Sequence, residues 1–111
     1  MLTFPPPFPC SFLGQVDLRG GTYLADTIAT GYGAYLAIPL LRNRVDGRAH
    51  EIDEAEARLI IEESMRVLVY RDARALNRIQ VATVTAQGTK IGEPYELKTE
   101  WAFAEDIRGY A

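Results

Sequence analysis

The only histidine in this 111-residue chain, His50, is the first candidate for metal binding or proton transfer. Asp46, Glu51 and Asp53 lie close to it in sequence, and an imidazole together with carboxylates can bind a divalent metal ion. All four residues fall in a polar stretch between two predicted helices, where a solvent-exposed histidine is the commoner outcome. The pattern favours a surface histidine, and we expect neither a metal site nor a cofactor site.

Two further motifs could indicate chemistry, namely a pair of glutamates and a glycine-rich loop. A structural role explains each of them better. Glu62 and Glu63 are adjacent on a predicted helix, so they point in different directions and cannot face each other as an acid–base pair. We expect both to be solvated. The loop Gly31-Tyr32-Gly33 resembles part of a phosphate-binding turn, but it lacks a third glycine and a following Lys-Ser or Lys-Thr pair. It predicts close backbone packing.

The clearest element is a helix from Asp53 to Ala73. Asp53 is placed as its N-cap, and Glu56 stands at the capping-box position three residues later. Arg71 and Arg74 are predicted to lie in its last turn, where cations complement the helix dipole. Apolar residues recur at helical spacing, which predicts one buried face. That face comprises Ala57, Ile60, Ile61, Leu68 and Ala73.

The remaining elements follow from period-two and helical patterns and from turn residues. They give an α+β chain with the order ββ-αα-ββ-α. The predicted elements are a strand 12–18, a turn at Gly20-Gly21, a strand 22–30, a helix 34–42, a loop 43–52, strands 79–85 and 90–97 around a turn 86–89, and a helix 99–108. Pro39 is expected to bend or shorten the first helix, and Pro94 to mark an edge strand. The last helix would present Trp101, Ala104 and Ile107 on one face and Phe103 towards a neighbouring surface.

Composition predicts one globular domain, residues 11–111, because 48% of the residues are hydrophobic and their spacing is regular. Residues 1–10 contain three consecutive prolines and no cationic leader, so they predict an extended arm and neither a signal peptide nor a membrane span. Cys10, the only cysteine, cannot form an internal disulfide and fits a reduced, intracellular protein.

The charge pattern argues against nucleic acid and favours protein partners. The net charge is −3, whereas affinity for phosphate backbones depends on clustered cations. Arg42, Arg44 and Arg48 form a small cluster, but Asp46 lies among them and a solvated loop is expected. Ten of the twelve Lys and Arg residues are arginine, whose planar guanidinium suits interface ion pairs.

Several motifs in a fixed order together resemble a known family. They are Phe12-Leu13-Gly14, Val16-Asp17, Ala29 to Ala37, Pro39 to Arg42, Met65 to Leu68, Tyr70 to Arg74, Asn77-Arg78 and Gln80 to Thr85. In this combination they resemble the C-terminal half of the β-ring subunits of the 20S proteasome, and among those the non-catalytic members. The resemblance runs from about Ser11 to the end of the chain. It implies half of a four-layer α-β-β-α sandwich of the N-terminal nucleophile hydrolase type.

The resemblance also implies that the chain is not an enzyme. Active family members carry a serine in the Gly-x-Gly loop, where this chain has Tyr32. They carry another serine three residues after the aspartate that matches Asp72, where this chain has Ala75. The threonine nucleophile and its lysine partner belong to the half of the family that the resemblance does not cover. Asp72 alone cannot hydrolyse an amide, and we expect it to form an ion pair with Arg71, Arg74 or an arginine of a neighbour.

The function implied by the resemblance is structural support of the proteasome β ring. The implied partners are other α and β subunits and a separate N-terminal half of the same subunit, in the cytoplasm and nucleus. Half a sandwich should also leave open strand edges and an exposed apolar face. The residues expected at subunit interfaces are Tyr32, Tyr35, Arg71, Asp72, Arg74 and Asn77.

Two alternatives remain open from the residues. One is a free-standing α+β binding domain or enzyme that closes its core by homodimerising, with a polar pocket around Tyr32, Asp72 and Asn77. The other is a peptidase that receives its threonine from another chain. The departures at Tyr32 and Ala75 argue against the second.

Overall fold

The computed structural model describes residues 12–102. Within them the order of elements is two strands, two helices and four strands, which confirms the mixed α+β class. The elements are β1 (Gly14–Val16), β2 (Thr22–Leu24), α1 (Gly33–Val45), a short 3-10 turn (Ala49–Glu51), α2 (Glu54–Arg71), β3 (Arg78–Ile79), β4 (Ala82–Thr85), β5 (Gly88–Ile91) and β6 (Tyr95–Glu96). The predicted arm 1–10 and residues 103–108 of the predicted last helix lie outside the described residues.

The predicted N-cap of α2 is confirmed. Asp53 Oδ1 accepts a 2.8 Å hydrogen bond from the Glu56 backbone N–H, so it satisfies a donor that has no partner inside the helix. The helix ends two residues earlier than predicted, because the backbone turns extended at Asp72 (φ −103°, ψ 111°). Arg71 therefore lies in the last turn, whereas Arg74 follows the helix and Ala73 is exposed rather than part of the buried face.

Helix α1 is longer than the sequence predicted. It continues through Pro39 to Val45, so the proline does not shorten it. Proline removes only one backbone hydrogen bond, and the buried side chains of Ala37, Ile38 and Val45 hold the helix against the rest of the chain. Val45 packs with Ile52 and Ile60 in one core cluster, so the connection between the helices is folded inward around a 3-10 turn.

Two ion pairs link α1 and the connecting loop to α2. Arg44 contacts Glu63 and Arg48 contacts Glu56, each with a nitrogen–oxygen distance of 2.6 Å. These pairs are about half exposed, so each stabilises the fold only modestly. They also correct the prediction that the arginine cluster is simply solvated, because two of its members pair with carboxylates across the helix contact.

The first hairpin is shorter than predicted. The strands β1 and β2 pair antiparallel, and Asp17 Oδ1 accepts hydrogen bonds from the backbone N–H groups of Arg19 and Gly21. Gly20 takes φ +81°, which confirms the predicted glycine turn. Residues 25–30 do not continue the strand as predicted. They contribute to the apolar cavity that is also lined by both helices, with Thr27 buried.

The second pair of predicted strands is split into two small sheets. β3 pairs with β6 and β4 pairs with β5, both antiparallel. The split falls at Gln80 and Val81, where the Gly92 N–H donates to the Val81 carbonyl and the Gln80 side chain donates to the Gly92 carbonyl, both at 2.9 Å. The predicted turn 86–89 is a two-residue turn, since Thr85 already pairs with Gly88.

Pro94 lies between β5 and β6 and belongs to neither strand, so the predicted edge-strand position is wrong. The chain after β6 also differs from prediction, because residues 99–101 are irregular and not helical. Arg66 Nε donates to the Lys98 carbonyl at 2.8 Å, and the Glu100 N–H donates to the Tyr70 hydroxyl at 2.6 Å. These bonds hold the segment alongside α2.

Apolar burial in residues 12–102 is incomplete. A second cluster joins Val69, Ile79 and Leu97, yet no described side chain has less than 2% of its surface exposed. The six described strands form three separate two-stranded sheets, so within residues 12–102 each sheet has unpaired outer edges. Several large apolar side chains are exposed there as well, so the predicted open edges and exposed apolar surface hold for the described residues. None of the described helices is long and apolar enough to span a membrane.

We expect Asp53→Ala to lower the free energy of unfolding by about 1 kcal/mol, because the first turn of α2 loses its cap. Urea unfolding followed by circular dichroism measures the change. Asp46→Ala is the matched control, since Asp46 caps α1 through its backbone N–H and should change stability by less than about 0.5 kcal/mol. Equal losses in the two variants would contradict the capping role.

Candidate functional site

The junction after α2 holds Asp72, the residue matched to a catalytic support position. Its carboxylate accepts a 3.0 Å hydrogen bond from the Arg74 backbone N–H, and its carbonyl accepts one from the Ala75 N–H. Within residues 12–102 Asp72 has no ion pair, so the predicted pairing with Arg71 or Arg74 is wrong. The carboxylate serves instead to close the turn that follows the helix.

Ala75 and Tyr32 stand where the resemblance places serines in active members. Ala75 is partly buried and packs against the cluster of Val69, Ile79 and Leu97. Tyr32 is the N-cap residue of α1 and makes no side-chain capping bond. Ala75 has no polar side-chain atom, and no described hydrogen bond within residues 12–102 joins Tyr32 to Asp72.

The Gly-x-Gly loop confirms the prediction of close packing. Gly33 is buried, and a Cβ atom at this position would lie 3.4 Å from the Ala29 Cβ and 3.5 Å from the Leu68 Cδ1. Gly31 has φ +62°, which favours glycine. The loop therefore brings the start of α1 into contact with α2.

Asn77 connects the junction to the segment after β6. Its Nδ2 donates to the Thr99 hydroxyl at 3.3 Å, and its carbonyl accepts the Leu97 N–H at 3.0 Å. Its Oδ1 is buried without a hydrogen-bond partner. A buried unpaired amide oxygen is uncommon; within residues 12–102 it accompanies one side-chain bond, to Thr99, and one bond through the Asn77 backbone carbonyl, to Leu97.

The predicted interface residues fall into two groups. Tyr32 and Tyr35 lie at the start of α1, and Tyr35 is 78% exposed. Arg71, Asp72, Arg74 and Asn77 lie at the end of α2, with both arginines exposed. Their contact with another chain stays a prediction.

His50 is on the surface, as predicted, with 62% of its side chain exposed and its Nε2 3.5 Å from Glu51. Among residues 12–102 no three His, Cys, Asp or Glu side chains come together as a group that could hold a metal ion.

One polar cluster was missed by the sequence analysis. The hydroxyl of Tyr95 on β6 donates to Glu62 on α2, so Glu62 is partly buried and not solvated as predicted; Glu63 pairs with Arg44. Burial, the hydrogen bond to Glu62 and the charge of Glu62 raise the pKa of Tyr95 above its ordinary value of 10.0, while Arg58 opposes the shift. The four-residue spacing of Arg58 and Glu62 was the available signal, but the partner lies 33 residues further along the chain.

The largest feature that sequence reasoning missed is an apolar cavity of about 430 Å³ between residues 26–30 and the two helices. Leu13 also lines it. The helix residues that line it are Gly33, Ala37, Leu41 and Val45 of α1 and Ala57, Ile60, Ile61, Ser64, Met65 and Leu68 of α2. The cavity does not include Tyr32, Asp72 or Asn77. The Ser64 hydroxyl is satisfied by the Ile60 carbonyl at 2.9 Å. The walls of the cavity are mostly apolar, with Asp26, Thr27 and Thr30 as the other polar residues that line it.

The β-hairpins have apolar side chains on the face turned away from the helices. In the first hairpin Leu13 lines the cavity, and the alternation of a strand places Phe12 and Val16 on the opposite face. In the β4–β5 hairpin the Thr83 hydroxyl reaches Glu54 of α2 at 3.4 Å, which places Val84 on the outer face. All three outer side chains are exposed, as is Ile91.

Comparison with known proteins identifies a family. The proteasome subunit family matches residues 11–84. Probable proteasome subunit beta type-7 of Encephalitozoon cuniculi is 51% identical over 89 residues, which are 80% of this chain and 39% of that protein. Proteasome subunit beta type-4 of Xenopus laevis is 47% identical over 100 residues, which are 90% of this chain and 41% of that protein.

A third relative, probable proteasome subunit beta type-7 of Schizosaccharomyces pombe, is 45% identical over 100 residues, 89% of this chain and 38% of that protein. The chain therefore spans about two fifths of the length of these curated relatives.

We expect Tyr95→Phe to lower the free energy of unfolding by about 1–2 kcal/mol at neutral pH, because a hydrogen bond to a partly buried carboxylate is lost. The raised pKa means that the folded chain holds the Tyr95 proton more tightly than the unfolded chain does. This contribution is complete below about pH 10 and is lost as the pH rises through the raised pKa. Urea unfolding at pH values from 7 to about 11 should therefore show a smaller alkaline loss in Tyr95→Phe than in the unmodified chain.

Tyr35→Phe is the control for this series, because the Tyr35 side chain is largely exposed and its hydroxyl makes no hydrogen bond that the structure describes within residues 12–102. A Tyr95→Phe variant whose stability changes with pH in the same way as the unmodified chain would refute the contribution of Tyr95.

Proposed function

This chain belongs to the proteasome subunit family, and we propose that it serves as a non-catalytic structural subunit of the β ring of the 20S proteasome core particle. The observation that carries the proposal is the 47% identity over 90% of the chain to a protein named proteasome subunit beta type-4. On this proposal its role in protein degradation is to complete and hold the ring, and other subunits of the particle cleave peptides.

The proposed arrangement is one half of a four-layer sandwich in which two sheets lie between two helical layers. The apolar cavity against α1 and α2 and the apolar outer faces of the hairpins support it. The first hairpin has Leu13 on the helix side and the exposed Phe12 and Val16 on the other, which suits an inner layer where one face meets helices and the other meets a second sheet. The remaining strands would come from the part of the family length that this chain does not span.

The proposed lack of catalysis is supported by the residues at the two support positions. Tyr32 and Ala75 carry no hydroxyl of the kind that active members have there, and the carboxylate of Asp72 is engaged by the Arg74 N–H. Amide hydrolysis needs an activated nucleophile and a proton acceptor within hydrogen-bond reach.

The proposed partners follow from the proposed role. They are other α and β subunits of the particle, in the cytoplasm and nucleus. A free-standing homodimer would need a polar pocket around Tyr32, Asp72 and Asn77, and the apolar cavity is lined by none of them. No observation favours that second function.

Native mass spectrometry of the endogenous complex, followed by subunit dissociation, tests the role directly. We expect this chain in a large particle with other proteasome subunits. Treating the particle with a threonine-directed electrophile should label other subunits and leave every site lined by this chain unlabelled.

A homodimer as the sole assembly would overturn the proposed function. A covalent label at a site lined by this chain would leave its place in the particle intact and overturn the non-catalytic assignment.

The layer arrangement predicts that Ile61→Asp lowers incorporation into the particle by about tenfold or more, because Ile61 lines the cavity and a carboxylate there would be buried without a partner. Quantitative mass spectrometry of purified particles measures incorporation. Leu59→Asp is the matched control on the same helix, since Leu59 is exposed and does not line the cavity. Equal incorporation of both variants would count against a sheet packed in the cavity.

A further inference from the structure

Charges of opposite sign are concentrated towards the two ends of helix α2. An acidic region precedes the helix and includes its first half, and a basic region includes its second half and the residues just after it. Residues 46–63 contain seven acidic side chains and two arginines, whereas residues 66–78 contain four arginines and one aspartate. The chain as a whole has a net charge of −3, so the basic region is a local exception. The helix dipole favours a cation such as Arg71 in the last turn, but it does not account for Arg74, which follows the helix.

The two regions differ in how their charges are paired. In the acidic region Glu56 and Glu63 form ion pairs with Arg48 and Arg44. In the basic region the side chains of Arg71 and Arg74 are exposed and have no described ion pair or hydrogen bond within residues 12–102. Each offers a planar set of donors that matches a carboxylate.

Exposed apolar side chains lie beside these arginines. Leu76 is 79% exposed and Trp101 is 49% exposed. The Trp101 ring packs edge-on against Tyr70 with centroids 4.9 Å apart, and Tyr70 directly precedes Arg71 in the chain. The bond from Asn77 to Thr99 ties the two segments that carry Leu76 and Trp101.

We infer that Arg71, Arg74, Leu76 and Trp101 form a docking surface for an acidic, partly apolar segment of a neighbouring proteasome subunit. Arginine and tryptophan are the residue types that most often dominate binding energy at protein interfaces, and an apolar centre beside paired charges excludes water from them. The inference rests on the proposed function, since it places the partner in the same particle.

The test compares two doubly substituted full-length chains, expressed with an affinity tag in the native cells. Arg71→Glu with Arg74→Glu reverses the charge of the docking surface. Arg42→Glu with Arg19→Glu is the matched control, since Arg42 lies in the last turn of α1 as Arg71 does in α2, and Arg19 lies in a turn as Arg74 does. We expect incorporation into particles to fall about tenfold or more in the first variant and to stay near the unmodified level in the control.

A photo-crosslinker at Leu76 gives a readout that does not depend on charge reversal. In the assembled particle it should join this chain to a segment of another proteasome subunit that is rich in Asp and Glu, and mass spectrometry identifies that segment. A crosslink to a basic segment, to a second copy of this chain or to no other chain would overturn the inference.

The outcomes separate the two proposals. If the unmodified chain enters particles and both double variants enter equally well, or are lost equally, the docking surface is refuted and the structural role stands. If the unmodified chain does not purify with proteasome subunits, the proposed function fails and this inference fails with it.

Discussion

The fold depends on the burial of one long face of α2. Ile60 near its start joins the cluster with Val45 and Ile52, and Val69 near its end joins the cluster with Ile79 and Leu97. The same helix therefore holds α1 at one end and the strands β3 and β6 at the other. Because apolar burial is the main stabilising term in a small domain, the two halves of the chain are joined chiefly through this helix.

Burial of that face is only partly achieved by residues 12–102. The cavity between residues 26–30 and the helices leaves a row of apolar side chains without contact on one side, which forfeits dispersion energy as well as exposing surface. The outer faces of the hairpins also carry apolar side chains that are exposed within the described residues. Within residues 12–102 this cavity and the exposed apolar side chains of the hairpins form the kind of surface that marks a contact with another segment or chain.

Polar contacts have a different effect in this molecule. They determine where α2 begins, how the chain turns after it and where the segment after β6 lies, which apolar burial does not specify. Asp53 sets the start of α2 and Asp72 closes the turn after it. Arg66 and Tyr70 then hold the segment after β6 along the helix through its backbone. The family resemblance aligns Asp72 with a position that supports catalysis in active members. In this chain its carboxylate has a structural role, because it closes the turn after α2.

The sequence by itself determined the elements whose signals are local. The cap at Asp53 and the glycine turn at Gly20 depend on neighbours within a few residues, and so does the existence of both helices. Only the tertiary structure decided how far α1 runs beyond Pro39, where the strand after Arg78 divides, and that Glu62 meets Tyr95. Those outcomes depend on contacts between residues far apart in the chain, and an alternation of apolar residues predicts a strand without specifying which strand it will pair with.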